Sequence, residues 1–296
     1  MRNTVLFILL IFFLGAFKFK SSIQTDRPAY KIFSGNKSKA ISYDKMMKGL
    51  KDADVVFFGE IHNNSICHWL ELQVLKSLDA DTGKGVILGT EMFEADDQLI
   101  LDEYMNGTIQ ETHFMKEAKL WDNYETDYAP MVNYAKEKKM SFIATNIPRR
   151  YASLVARKGL EALSELDDEA KNYMAPLPIE IDYELPGYKE MSKMMGGHGG
   201  HGMGNNMIDA QAIKDATMAY FISENLSDEK IFYHLNGSFH SKNKEGIVCF
   251  LKKSNPELTI FSITIVEQDD IQDLEEENQS LADYIIAVPS DMTRTF

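Results

Sequence analysis

Four short apolar segments of the chain are rich in β-branched and aromatic residues and are bounded by turn residues, which is typical of buried strands. They cover residues 54–58, 85–88, 140–144 and 230–235. Between them, apolar residues recur with helical spacing over residues 65–78, 127–139, 149–166 and 209–226. Because strands that alternate with helices pair in parallel, this pattern predicts an α/β fold with a mostly parallel central sheet flanked by helices.

The C-terminal part of the chain has a different pattern. Residues 246–251 and 258–266 are both strand-like, and the turn between them contains Asn255 and Pro256, which predicts a hairpin that continues the sheet. Seven acidic residues follow within residues 267–277. We expect a solvated loop or helix face there, with a cation site as the weaker alternative, so residues 267–296 are predicted to be an acidic C-terminal segment.

A localisation signal lies at the N-terminus. Arg2 precedes an uninterrupted apolar run of 13 residues, residues 5–17. This is the length of the apolar part of a signal peptide and is shorter than the roughly 20 residues that a spanning helix needs. We expect residues 1–20 to be a signal peptide and the protein to be exported to the periplasm or cell envelope. An uncleaved N-terminal anchor and a buried helix are the alternatives.

The net charge and the cysteine content limit which binding partners and which disulfide bonds are expected. The formal net charge of −14 repels nucleic acid and anionic lipid surfaces, so no nucleic-acid partner is expected. Any anionic ligand would need a local basic patch. The two cysteines, Cys67 and Cys249, do not make a disulfide framework. Buried free thiols are the favoured interpretation, and a single disulfide between them stays open.

Polar residues follow directly after each of the four predicted strands. Glu60 and His62 follow the first strand, Glu91 follows the second, and His240 follows the fourth. In open parallel sheets the carboxyl ends of the strands form the ligand crevice, so we expect these side chains to meet there. Such a set could bind a divalent metal ion or act as general acid and base. The alternative is a buried network of ion pairs and hydrogen bonds that holds the strand ends together.

The same residues carry a resemblance to a known family. The two G-x-x-H motifs, Gly59–His62 and Gly237–His240, together with Glu91, resemble the pattern of the Tiki superfamily. Further short blocks resemble its ChaN branch of haem-binding proteins. These blocks contain Trp121, Tyr124, Tyr128 with Ala129 and Pro130, Asn146 to Arg150, Ala210 with Gln211, and Asp215 to Ala219. The resemblance runs over residues 39–266, which we take as the ChaN-like domain.

The resemblance implies a smaller helical subdomain beside the sheet and a homodimer that holds haem at its interface. It also implies a tyrosine ligand to the haem iron, assisted by a histidine of the partner. Tyr124 and Tyr128 are the candidates, with aromatic packing near Trp121 as the alternative. Arg149 and Arg150 are candidates for pairing with the haem propionates, because arginine binds carboxylates through two hydrogen bonds.

A Met-, His- and Gly-rich stretch covers residues 191–207 and has no counterpart in the family pattern. Its glycines disfavour regular structure, so a mobile loop is expected. His198 and His201, with nearby methionines, offer ligands suited to copper(I) or to haem iron. An unliganded loop or an adaptable apolar lid would have the same composition.

Three functional hypotheses follow. The first is an exported haem-binding protein for iron and haem acquisition, with haem as ligand and an outer-membrane haem receptor as a candidate partner. The second is a metal-dependent hydrolase of the erythromycin-esterase-like type, in which Glu60, His62, Glu91 and His240 hold a divalent metal ion and provide the base. The third, a copper-binding module around the Met- and His-rich stretch, has the least support.

Overall fold

The computed structural model describes residues 28–194 and 203–296. The predicted signal peptide or anchor (residues 1–20) lies outside the described residues. So do His198 and His201 of the Met- and His-rich stretch.

A single eight-stranded sheet forms the centre of the described structure, in the strand order β2-β1-β8-β7-β3-β6-β4-β5. Its strands are β1 (Lys31–Ser34), β2 (Lys39–Ile41), β3 (Val55–Glu60), β4 (Gly85–Glu94), β5 (Ser141–Asn146), β6 (Lys230–Gly237), β7 (Ile260–Gln268) and β8 (Tyr284–Pro289). The six strands from β8 to β5 pair in parallel, and only β1 pairs antiparallel with β2 and β8. The predicted mostly parallel α/β sheet is therefore confirmed.

Ten α-helices of the described chain surround this sheet. They are α1 (Tyr43–Leu50), α2 (Ser65–Asp81), α3 (Gln98–Met105), α4 (Glu111–Glu117), α5 (Ala129–Glu137), α6 (Arg149–Lys158), α7 (Asp168–Lys171), α8 (Pro186–Met194), α9 (Met203–Glu224) and α10 (Ile247–Ser254). A short π-helical turn, Tyr124–Tyr128, leads directly into α5.

The two faces of the sheet are buried in separate cores. Alternate residues of β3 point to opposite faces: Val56 and Phe58 pack in the large core under α1 to α5, whereas Val55 and Phe57 pack under α9 and α10. Helices α6 to α9 and the segments between them bury further apolar clusters of their own, which form the helical subdomain. Because the main strands are covered on both faces, a ligand can reach the sheet only along its edges.

The predicted hairpin of residues 246–251 and 258–266 is wrong. Residues 247–254 form helix α10, and β7 returns parallel to β3 instead of pairing with its predecessor. Ile247, Val248 and Leu251 have the spacing of one helical face and are buried against the core of α9 and β6. A short apolar run fits a strand and a helix equally well, and here the tertiary packing decides.

Other boundaries also differ from the predicted ones. Gly159, at a φ of +80°, ends the helix that was predicted to continue to residue 166, and a short 3₁₀ turn follows it. Residues 191–194 and 203–207 of the predicted mobile loop are helical, at the end of α8 and the start of α9. Strand β8 lies within residues 267–296, so the predicted acidic segment contributes to the sheet.

Both cysteines are free: Cys67 is buried in α2, and Cys249 is partly exposed in α10. The interpretation as free thiols is therefore confirmed, and burial is confirmed for Cys67 only. Among the residues that the structure describes, no helix is both long and apolar enough to cross a membrane.

Candidate functional site

The four residues singled out from the strand ends lie at the ends of β3 and β6, shortly after them, or, for Glu91, inside β4, which continues to Glu94. Glu60 is the last residue of β3 and is paired in register with Gly237, the last residue of β6. Glu91 lies next to an irregularity in the pairing of β4 with β5, where a strand changes the direction of its side chains. His62 and His240 follow β3 and β6 by two and three residues. The structure therefore brings the predicted residues to one edge of the sheet.

On the β3 side, the Glu60 carboxylate fixes the orientation of the His62 imidazole. The Glu60 Oε1 atom lies 2.6 Å from His62 Nδ1 and accepts a 2.6 Å hydrogen bond from the Tyr128 hydroxyl. Burial opposes a proton on His62, but the hydrogen bond and charge of Glu60 outweigh it and raise the pKa of His62. Glu60 itself keeps a lowered pKa against its burial, because His62 and His68 stabilise the carboxylate.

On the β4 and β6 side, His240 lies between two carboxylates. Its Nε2 is 3.1 Å from Glu91 Oε1, and its Nδ1 is 2.5 Å from Asp215 Oδ1. The second oxygen of Glu91 accepts the backbone N–H of Gly237, and the second oxygen of Asp215 accepts the Tyr188 hydroxyl. We call these residues the His240 cluster. Burial opposes protonation, but the charges of Glu91 and Asp215 raise the pKa of His240 to about 10.

The two sides of the edge meet at Gly237. A Cβ atom at this position would lie 2.8 Å from His62 Nε2 and 3.5 Å from Glu91 Oε2. The first distance is too short for a Cβ atom and the second is an ordinary contact, so glycine at this position leaves room for the imidazole of His62. The second glycine of the G-x-x-H pair therefore has a packing reason that is specific to the site.

A cavity of about 720 Å³ opens above this edge. The ionisable residues of its lining are Glu60, His62 and His240, and the other residues of the lining are both polar and apolar. The apolar lining includes Ile61, Met191, Met194, Phe239 and Phe296. His62 keeps 38% of its side chain exposed, whereas only 7% of the His240 side chain is exposed. His62 is therefore the histidine that a bound molecule can reach.

A second cavity, of about 750 Å³, adjoins the first. Phe296 lines both, and Trp121 of the second cavity contacts His62 of the first, with 4.8 Å between ring centroids. Arg149 and Arg150 also line the second cavity. Arg150 pairs with Asp96 at 2.5 Å, whereas Arg149 forms no ion pair within the described chain. The predicted arginines thus lie beside the predicted strand-end site, and Arg149 has a free charge.

Tyr124 and Tyr128, the candidate iron ligands, lie behind the two cavities. Both phenol rings are buried, and neither lines either cavity. The Tyr128 hydroxyl donates to Glu60, and the Tyr124 hydroxyl is buried without a hydrogen-bond partner among the described residues. Burial raises the pKa of both phenols, so the phenolate form that iron binds is disfavoured. The structure gives these tyrosines packing positions behind His62 and Trp121.

Behind Glu60 lies a second set of buried polar residues, which includes His68 and Glu71 on α2 and Asp127 in the π-helical turn. His68 Nδ1 is 3.0 Å from Glu71 Oε2, and His68 Nε2 is 3.4 Å from Asp127 Oδ2. With Glu60 and His62 we call them the Glu60 cluster. Burial opposes protonation of His68, but the charges around it, that of Glu71 first, raise its pKa to about 10.

The sequence analysis named Gln211 and Asp215 in the blocks that resemble the ChaN branch, but it gave them no role in the site. Gln211 and Asp215 are four residues apart on α9 and both contact His240. Two polar residues at that spacing in a long apolar helix were a usable signal. His68 and His234 are both buried with hydrogen-bond partners. Nothing in the local pattern placed His68 beside Glu60.

Comparison with known proteins identifies the family and the fold. The profile of the family described as "Haem-binding uptake, Tiki superfamily, ChaN" matches residues 46–251. Among solved structures, that of "Cofacial heme binding to ChaN of Campylobacter jejuni" aligns with a TM-score of 0.67 at 18% identity, over 88% of this chain and 97% of that chain. A comparison with curated protein sequences gives no match.

More distant structures align with lower scores. An erythromycin esterase mutant, EreC in its open conformation, aligns with a TM-score of 0.47 at 10% identity, over 81% of this chain and 77% of that chain. A Bacillus cereus protein aligns with a TM-score of 0.46 at 14% identity, over 76% of this chain and 69% of that chain.

Since the family profile covers more than half of the chain and the ChaN fold matches nearly all of it, the protein belongs to the ChaN family of the Tiki superfamily.

Proposed function

We propose that the protein is exported and binds haem in the cleft formed by the two adjoining cavities, in the service of iron and haem acquisition. The observation that carries this proposal is the juxtaposition of an accessible histidine, an apolar wall and an unpaired arginine. Haem has a flat apolar ring, an iron atom that accepts an axial ligand, and propionates that carry negative charge. The cleft offers a partner for each of these parts.

His62 is the proposed iron ligand. Its Nδ1 is occupied by Glu60, which leaves Nε2 directed to the site above Gly237. A carboxylate behind a metal-binding histidine fixes the ring and its tautomer and increases its basicity. Haem bound there would bring a redox-active iron. The chain's own residues orient the imidazole, exclude water with Met191 and Phe239, and keep His240 protonated nearby.

Arg149 is the proposed propionate partner. It lines the cavity next to Trp121 and forms no ion pair within the described chain, so its charge is available. Arg150 already forms an ion pair with Asp96. Because the protein as a whole carries a charge of −14, a local cation matters more for an anionic ligand here than it would on a neutral protein.

A haemin titration followed by absorbance tests the proposal. We expect the parent to show a Soret band that saturates, His62→Ala to shift the band and weaken binding, and Arg149→Ala to weaken binding without shifting the band. His113→Ala is the matched control, because His113 is exposed on α4. The predicted ligands His198 and His201 are replaced in the same series. A flat titration of the parent protein rejects haem binding.

The homodimer and the export route are separate parts of the proposal. The cleft is open to solvent, so haem in it would leave a face for a second protomer. Sedimentation of the protein with and without haemin tests this, and a monomer in both conditions rejects it. Fusion of residues 1–25 to a reporter that is active only after export tests the localisation, and a cytoplasmic signal rejects it. Transfer of haem from an outer-membrane receptor is the last part of the proposal, and its test follows the tests of the dimer and of the localisation.

The His240 cluster supports a second candidate function, metal-dependent hydrolysis. An imidazole held between Asp215 and Glu91, with a second histidine in the same cavity, is an arrangement that can move protons in acyl transfer. Ester hydrolysis that requires a divalent metal ion and is lost in His240→Gln, with haemin binding retained, would favour the enzyme. Absence of hydrolysis across a panel of esters would leave haem binding as the function.

A further inference from the structure

Three potential metal ligands meet in the Glu60 cluster beneath the floor of the cavity. One ligand atom from each of Glu60, His68 and Glu71 lies within 4.8 Å of the other two. All three side chains are buried, and Glu71 is completely inaccessible to solvent. This set shares only Glu60 with the strand-end residues Glu60, His62, Glu91 and His240.

Rigid elements hold these three residues. Glu60 ends the central strand β3, and His68 and Glu71 are three residues apart in the first two turns of α2. Asn64 fixes the start of α2, because its side chain accepts hydrogen bonds from the backbone N–H groups of Ile66 and Cys67. Ligands on a strand end and a capped helix keep a defined geometry, which a selective metal site needs.

Two features of the cluster favour binding of a cation. First, Glu60 Oε2 is buried and has no hydrogen-bond donor among the described residues, although a buried carboxylate oxygen without a donor is costly. The carboxyl group of Glu71 is within hydrogen-bonding range of Glu60, and two carboxylates keep such an arrangement only with a shared proton or a cation between them. Second, the cluster contains three carboxylates, of Glu60, Glu71 and Asp127, against the two imidazoles of His62 and His68.

We propose that Glu60, His68 and Glu71 bind one divalent transition-metal ion beneath the cavity floor. Two carboxylates and one imidazole suit Zn²⁺, Mn²⁺ or Fe²⁺. The Cys67 thiol is buried beside the cluster, 3.8 Å from Glu71 Oε1, and is not one of the three ligands. Glu60 lines the cavity, so the ion enters from the cavity side. This site goes beyond the proposed haem function, since none of its ligands except Glu60 touches the cleft.

Metal content of the purified protein tests the proposal. The full chain is stripped with a chelator, incubated with Zn²⁺ or Mn²⁺, dialysed, and measured by mass spectrometry, and its melting temperature is recorded with and without metal. We expect one Zn²⁺ per chain in the parent and a rise in melting temperature with metal. Glu71→Gln, which keeps the shape of the side chain, should weaken binding by about 100-fold or more and abolish that rise.

Glu91→Gln is the discriminating variant, because Glu91 is an equally buried carboxylate at the same sheet edge but outside the metal set. It should retain the ion. Circular dichroism of the metal-free variants checks that both are folded, and His68→Gln provides a second ligand variant. A parent protein that binds no metal overturns the proposal and leaves a shared proton between Glu60 and Glu71. Metal retained in Glu71→Gln but lost in Glu91→Gln also overturns it, because the ion would then lie at the cavity histidines. These readouts contain no haem, so they fail or succeed independently of the haemin titration.

Discussion

The Glu60 cluster and the His240 cluster are built from the same residue types at the same edge of one sheet, yet their hydrogen bonding differs. In the His240 cluster all four oxygens of Glu91 and Asp215 have a donor. In the Glu60 cluster, Oε2 of Glu60 has no donor among the described residues. A saturated network rigidifies its surroundings, whereas an unsaturated one has capacity left for a ligand.

The difference also separates the histidines by role. His240 is buried and held on both ring nitrogens, so it cannot turn toward a ligand without breaking two ion pairs. His62 is held on one nitrogen only and is partly exposed to the cavity. The same G-x-x-H motif therefore produces one structural imidazole and one imidazole that is available for binding.

The largest loss of stability is expected for His240→Ala, which disrupts the fully hydrogen-bonded His240 cluster. This change removes the imidazole between Glu91 and Asp215 and leaves two buried carboxylates without their cation, so we expect the free energy of unfolding to fall by about 3–5 kcal/mol. Urea unfolding measures the loss. His113→Ala on the surface of α4 should stay within about 0.5 kcal/mol of the parent. A loss below about 1 kcal/mol for His240→Ala would mean that the carboxylates find other partners.

The pH dependence of stability offers a second test of the same cluster. Because the pKa of His240 is raised from 6.5 to about 10 in the folded protein, its contribution is complete below about pH 6.5 and is lost as pH rises toward about 10. The free energy of unfolding of the parent should therefore fall across this range by more than that of His240→Gln. Urea unfolding at several pH values measures both. Parallel pH profiles would show that His240 is not protonated in the folded protein.

Tyr128 and Tyr124 form a matched pair behind the Glu60 cluster. Tyr128→Phe removes a donor from Glu60 and should lower the free energy of unfolding by about 1–3 kcal/mol. Tyr124→Phe removes a buried hydroxyl that has no partner in the described structure, so it should be neutral or slightly stabilising. Thermal unfolding measures both, and the Soret band with haemin should be unchanged in both. A shifted band in either variant would restore the tyrosine as an iron ligand.

The smallest change is expected for Glu71→Gln in metal-free protein. It removes one carboxylate from a cluster with a surplus of them while keeping an acceptor for His68, so we expect a change within about 1 kcal/mol of the parent. Glu91→Gln replaces a carboxylate whose two oxygens both have donors, so it should be more destabilising, by about 1–3 kcal/mol in the same urea titration. Equal losses for the two variants would contradict the difference between the clusters.

Much of the fold was predictable because its strands are short, apolar and separated by helices. Residues 54–58 and 230–235 were recognised within a few residues of β3 and β6. Strand β8 and helix α10 were not recognised. The β8 segment follows an acidic stretch that has no periodicity, and the α10 segment is short enough to fit either type of structure. In both cases the deciding interactions are with elements far away in the sequence.

The sequence by itself determined the alternation of strands and helices, the family, and the sheet edge at which Glu60, His62, Glu91 and His240 meet. A parallel sheet gathers the carboxyl ends of its strands at one edge, so residues at those positions converge whatever the loops do. Only the tertiary structure decided their surroundings: burial of Tyr124 and Tyr128, exposure of His62, enclosure of His240 by Asp215, and the approach of His68 and Glu71 to Glu60. The physical reason is that burial and charge balance depend on which distant residues pack together, and local sequence patterns do not record this.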